Sequence, residues 1–187
     1  MQNNKLIIIA ILIGVYSNGM SQELSKAKKI EQAVMAAPED QRKEATVLGF
    51  NEKGDLETLK KGSNELICIA DNPKKDGFNV VCYHKSLEPF MARGRALRNE
   101  GKNMGEVKKI RGEEVKSGKL SLPEGGKSLH ILYGDTPETS NYRYVVYLPF
   151  ATQESTGLPL APLVPGGPWL MEPGTHRAHI MISTPNK

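Results

Sequence analysis

Between residues 46 and 84 the chain falls into four short apolar stretches separated by turn-forming residues, and that spacing leaves little room for anything but β-structure. Residues 46–50 and 55–59 flank Asn51-Glu52-Lys53-Gly54, where the glycine supplies the positive φ of a tight turn. Residues 65–70 and 78–84 flank Asp71-Asn72-Pro73-Lys74-Lys75-Asp76-Gly77, a second turn cluster. Four strands with such short links predict an antiparallel meander.

The two cysteines of the chain fall inside this region. With the second turn centred near Lys75, Cys68 and Cys82 lie equidistant from it and face each other across adjacent strands. A disulfide is the first reading of such a pair in an exported chain. A one-residue slip would send the sulfurs to opposite faces and leave two buried thiols. A third reading is catalytic: Cys82 and His84 share a strand face, and a histidine near a cysteine can generate a thiolate. Neighbours on one strand face are about 6.5–7 Å apart, so contact does not follow from the spacing.

The N-terminus carries a polar start with one cation, Lys5, then an apolar run over residues 6–16 and the exit Ser17-Asn18-Gly19-Met20-Ser21-Gln22. This order predicts a secretory signal peptide over residues 1–21, cut after Ser21, with a cut after Gly19 as the rival. The run is too short for a membrane span, which needs about 20 residues. An uncleaved anchor is the alternative, because the exit only weakly resembles Ala-x-Ala. No cysteine lies near the cut, which argues against a lipid anchor. Cleavage removes one cation from a chain with 25 Lys and Arg against 21 Asp and Glu, leaving a net charge of +3. That excess is too small for a nucleic-acid partner, which would need a clustered basic face. No later stretch is apolar enough to span a membrane, so the expected location is periplasmic or secreted.

Composition excludes disorder, at 39% hydrophobic and 25% charged residues, and two cysteines are too few for a disulfide-built miniprotein. The mature chain, residues 22–187, reads as one α+β domain: an antiparallel sheet, helices packed on one side, and a proline-rich C-terminal loop. Helices are expected over 24–37, ended by Pro38, with a further turn running to Glu44; over 87–99, capped by Ser86; and over 104–117. Strands are expected over 129–133, 142–148 and 178–182. Pro159, Pro162, Pro165 and Pro168 recur at the period of a polyproline II turn. Leu158, Leu160, Leu163, Val164 and Trp169 are expected to hold the loop 158–174 against the domain, although the same strip could dock a partner.

Few residues carry a chemical signal. On the helix over 87–99, Arg98 falls at about 20° from Leu87, between Gly94 at about 340° and Met91 at about 40°, inside the apolar stripe. A guanidinium there needs a carboxylate, an anion, or an escape past the helix end. His176 and His179 have a helical ligand spacing, but their surroundings point to loop and strand, where His179 would face outward and His176 would be a loop hydrogen bonder. Glu88, Glu154, and Glu172 beside Trp169 are the acids available for proton transfer. No zinc signature occurs, nor any cofactor signature, and Gly125-Gly126-Lys127-Ser128 lacks the first glycine of a phosphate loop because Leu120 stands there.

Two segments, Cys82-Tyr83-His84-Lys85-Ser86-Leu87-Glu88-Pro89-Phe90-Met91-Ala92-Arg93-Gly94-Arg95 and Pro168-Trp169-Leu170-Met171-Glu172-Pro173-Gly174-Thr175-His176-Arg177-Ala178-His179-Ile180-Met181-Ile182, resemble parts of an uncharacterised family of exported bacterial proteins. With Tyr147-Leu148-Pro149-Phe150-Ala151-Thr152 the resemblance spans most of the mature chain. It implies a bacterial exported domain and brings no activity or catalytic residues. Two functions are weighed from the residues. One is a non-catalytic module binding a small ligand or an exported protein near His84, Glu88, Arg98, Trp169, Glu172, His176 and His179. The other is a hydrolase-like enzyme using the histidines with Glu88 or Glu172, with or without a metal. Convergence of three of these side chains in one pocket separates the second from the first.

Overall fold

The computed structural model describes residues 24–184; the expected signal peptide lies outside them. Eight strands form one sheet: β1 Thr46–Phe50, β2 Leu56–Lys60, β3 Leu66–Ile69, β4 Phe78–His84, β5 Lys127–Gly134, β6 Asn141–Tyr147, β7 Trp169–Met171 and β8 His179–Ser183. Their order is β2-β1-β3-β4-β5-β6-β8-β7. The helices are α1 Lys26–Ala33, α2 Glu88–Asn99, α3 Met104–Lys116 and the single turn α4 Gln153–Thr156. Among the described residues no helix is long and apolar enough to cross a membrane.

The sheet is mixed, which corrects the antiparallel meander. β3 lies on the far side of β1 from β2 and runs parallel to β1, with Val47 opposite Cys68. The link from β2 therefore passes beneath the start of β1. Gly62 makes that crossing possible, because a Cβ there would meet Glu44 O at 2.2 Å and the Ala45 carbonyl carbon at 2.3 Å. The crossing is pinned by bonds from the Ser63 and Asn64 amides to Glu44 O and from the Gly62 amide to Thr46 Oγ1. β3 and β4 pair as an antiparallel hairpin in the expected register, Cys68 opposite Cys82, and the two are joined by a disulfide. The bridge removes Cys82 from any thiolate chemistry.

Helices cover both faces of the sheet, not one. Val80 and Cys82 project to the side where Ala33, Ala36 and Ala37 of α1 and the following 3-10 turn pack, with Val47, Leu66 and Leu132. Val81 and Tyr83 project to the opposite side, where Leu87, just before α2, and Met91 of α2 meet Leu129 and Val145. The central strands are apolar at successive positions, as strands buried on both faces must be.

The C-terminal stretch also differs from expectation. β7 interrupts it at Trp169–Met171, so 158–174 is not one loop. Leu158 packs with Ala151, Leu170 and Ala178, and Pro159 O accepts from the Leu170 amide at the outer side of β7. Leu160, Leu163 and Val164 are not anchors: all three are exposed, Leu163 at 83%.

Candidate functional site

Helix α2 divides one face of the sheet into a filled half and an open half. The chain enters it through a 3-10 turn, Lys85–Leu87, capped by the His84 side chain rather than by Ser86. Pro89 and Glu88 in the first turn suit the amide-rich end of the helix. Phe90, Gly94 and Leu97 are buried, with Gly94 against Arg111 of α3, and Met91 lies over the sheet. On the other flank, Arg95 and Arg98 border the turn between β3 and β4.

That flank holds the candidate site. A cavity of about 400 Å³ lies between α2 and the sheet, floored by Ile69, Val81, Met91 and Leu129 and bordered by Phe50, Lys75, Arg95 and Arg98. A neighbouring cavity of about 330 Å³ shares Phe50, Asn72, Lys75, Arg95 and Arg98 with it. Volumes of this order are typical of small-molecule sites. Tyr83, at the cavity wall, donates its phenol to Glu88, whose carboxylate also takes Arg95 at 2.5 Å; Arg95 in turn donates to the Tyr83 oxygen at 3.2 Å. Burial first, then the bond to Glu88, holds the Tyr83 phenol far above its ordinary range, so it stays a neutral donor. Arg95 is thereby fixed and charge-matched. Arg98 is not: it makes no ion pair with a carboxylate among the described residues, and burial together with the like charge of Arg95 lowers its pKa.

The filled half brings together Glu172, His176 and His179, with four residues that sequence reasoning missed: Lys108, Arg111, Tyr147 and Arg177. His179 points inward, correcting its expected outward orientation, because it follows the register that also puts Tyr147 on the covered face. It is 7% exposed, stacks on Tyr147 at 5.4 Å and places Nδ1 2.7 Å from Arg177 O. His176 is buried in its loop, its ring 5.8 Å from Phe90 and against Gly112, where a Cβ would meet the imidazole at 3.0 Å. A Cβ on Gly94 would meet Arg111 Nη1 at 2.9 Å. Both glycines thus make room for polar side chains, and this pairing of helix glycines with a mid-helix arginine was the signal available in the sequence.

Arg111 lies 4.0 Å above the Phe90 ring and donates to Phe90 O; burial lowers its pKa to about 10, reinforced by the charges of Arg177 and Arg98. Glu172 sits at φ 51 and pairs with Lys108 at 2.8 Å and Arg177 at 3.3 Å. Burial pushes its carboxyl up, but these cations and His179 outweigh burial and hold it below the usual range. Burial lowers the pKa of both histidines, with Arg111 and Arg177 adding to the effect at His176. The arrangement ties the loop before β8 to α3. None of these residues lines the cavities above.

The remaining candidates lie apart. His84 Nδ1 accepts from the Ser86 amide and is 2.7 Å from Ser86 Oγ, while Nε2 is 3.9 Å from Glu65. Trp169 is half-buried on the edge strand β7. Glu154 is exposed in the first turn of α4, where its own backbone amide and Thr152 hold its carboxyl low. The structure therefore distributes the seven candidate binding residues over separate places. Phe50 and Lys75, which line the groove, come from a strand end and a turn that carry no signal in isolation. Among the described residues no group of three or more His, Cys, Asp or Glu is placed to hold a metal ion. Comparison with family models, curated proteins and solved structures returns no match.

Proposed function

We propose that the protein is an exported, non-catalytic binding module that takes a small ligand into the groove between α2 and the β3–β4 turn. The observation that carries this reading is an apolar-floored cavity of about 400 Å³ with Arg98 at its edge, a solvent-exposed cation that makes no ion pair with a carboxylate among the described residues. Export is supported by the apolar run over residues 6–16 and by the Cys68–Cys82 bridge, which belongs to an oxidising compartment. Membership of a family of exported bacterial proteins, carried by the segments quoted above, belongs to the same proposal.

The test has two parts. The mass of protein recovered from a bacterial periplasm should begin at Gln22 and be two hydrogens short. Anilinonaphthalene sulfonate should bind the folded protein saturably, and Asn79→Trp, at an exposed position bordering the cavity, should abolish that binding. Saturable binding unaffected by Asn79→Trp places the ligand elsewhere and refutes the groove.

One observation favours a hydrolase-like second reading. An acceptor Nδ1 leaves the His84 ring proton on Nε2, toward Glu65, so Ser86, His84 and Glu65 stand in the order of nucleophile, base and acid. Against it, Nδ1 is engaged in capping a turn, and the cavities described are lined by none of the three. Labelling of Ser86 by a fluorophosphonate, lost in His84→Ala, would put this reading first.

A further inference from the structure

The charges of the two adjoining cavities are unevenly arranged. The larger is lined by Lys75, Arg95 and Arg98 but also by Asp71 and Asp76, over an apolar floor. The smaller is lined by the same three cations and by no acid. Arg95 is matched by Glu88, and Asp71, which accepts from the Asn79 amide at 2.9 Å, and Asp76 line the larger cavity but not the smaller. Arg98 and Lys75, both solvent-exposed, line both cavities and make no ion pair with a carboxylate among the described residues, so on the side of the smaller cavity they meet no acid. A neutral apolar ligand would gain nothing from either cation. A ligand with one acid group could pair with them on the side that has no acid, and a planar guanidinium suits the two oxygens of such a group.

We infer that the ligand of this groove is a small amphipathic anion, whose acid group lies between Arg98 and Lys75 and whose apolar tail lies on Ile69, Val81 and Met91. This rests on the binding reading proposed above and adds the ligand's class. The tail sits in the cavity with the apolar floor, and the head turns toward the one without acids. Glu88 and Tyr83 have a positioning part, holding Arg95 against the helix so that its charge stays on the groove wall without being spent on the ligand.

Octanoate, octanol and octyltrimethylammonium, titrated into the full mature protein by calorimetry, separate the possibilities. Octanoate is expected to bind about ten-fold or more tightly than octanol, the size of one charge-assisted contact, and the ammonium more weakly than either. Arg98→Gln should remove most of the advantage of octanoate over octanol while leaving octanol unchanged. Lys75→Gln, in an exposed turn, should weaken octanoate in the same direction. Equal affinity of octanoate and octanol for the unaltered protein overturns the anion assignment and leaves the binding module standing. A loss of both ligands in Arg98→Gln shows that Arg98 packs the groove and overturns its role as an acid-binding group. Failure of all three ligands to bind, together with failure of anilinonaphthalene sulfonate, overturns the binding module itself.

Discussion

Replacing both Cys68 and Cys82 with alanine tests how far the hairpin depends on its bridge. The bridge closes a separation of 14 residues, and cross-linking a loop of that size removes about 3 kcal/mol of freedom from the unfolded chain at room temperature. Both sulfurs are fully buried between β3 and β4 beneath α1, so their removal also loses packing, roughly 1 kcal/mol for the pair. The expected cost is about 4 kcal/mol. With a urea dependence of about 2 kcal/mol/M, the midpoint falls by about 2 M. In a chain of 187 residues the melting temperature falls by roughly 8–16 °C. Urea melts followed by circular dichroism provide the measurement. The urea dependence itself should steepen, since the unfolded ensemble expands without the link. A midpoint lowered by less than about 0.5 M would refute the reasoning, because it would mean that the unfolded chain without the bridge already keeps the ends of this hairpin close together.

Stability should fall as the pH drops below about 6.5, the ordinary value for histidine. His130, His176 and His179 are all lowered by burial, so in that window the unfolded chain binds more protons than the folded one and acid favours unfolding; urea midpoints between pH 8 and 5 measure this, and His176→Gln should flatten the slope. Glu88→Gln should cost about 1–2 kcal/mol by loosening Tyr83 and Arg95 together, and a double-mutant cycle with Arg95→Met should show that the two losses are not additive. Gly62→Ala should destabilise by about 2 kcal/mol or more, since its new Cβ meets fixed backbone at Glu44 and Ala45; a melting temperature equal to that of the unaltered protein would show that the crossing under β1 is not as tight as drawn.

What the sequence revealed depended on how local the determining interaction was. Turn residues and alternation sufficed to place β1 to β4, and the symmetry about Lys75 gave the pairing of Cys68 with Cys82. The parallel position of β3 was hidden, because it depends on Gly62 meeting backbone 16 to 18 residues earlier, a contact that no local pattern encodes. Coverage of both faces follows from Val80–Tyr83, apolar at successive positions in β4, a pattern that the expected one-sided sheet does not account for. The alternation around His179 reads as the polar side of a strand for the same reason, whereas its partners Tyr147 and Met171 across the ladder share its face and fill it. Arg98 was legible from helical geometry alone as an arginine in an apolar stripe, and the structure leaves it solvent-exposed at the groove edge, the escape open to such a side chain. Its counterpart Lys75 was not, because only the fold carries the β3–β4 turn to that helix.

The two flanks of α2 explain each other. On one side Arg93 reaches Glu114 of α3 through bonds of 2.7 and 2.9 Å, Arg111 lies against Gly94 and Phe90, and His176 closes the junction against Gly112. Helix α2 is thus anchored to α3 and to the loop before β8 by polar contacts that apolar packing alone would not orient. On the other side nothing from the described chain fills the space over Ile69, Val81 and Met91. A binding groove needs such a rigid wall, because each side chain left mobile would have to be ordered by the ligand. The buried charges of the filled half are costly to keep, and their arrangement is best understood by what it fixes: the position of Arg95 and Arg98 over the open half. Disturbing the clamp at Arg111, for instance with Arg111→Met, should therefore weaken octanoate binding at a site with which Arg111 makes no contact. An unchanged affinity in that variant would show that the two halves of the face are independent, and that the clamp serves stability alone.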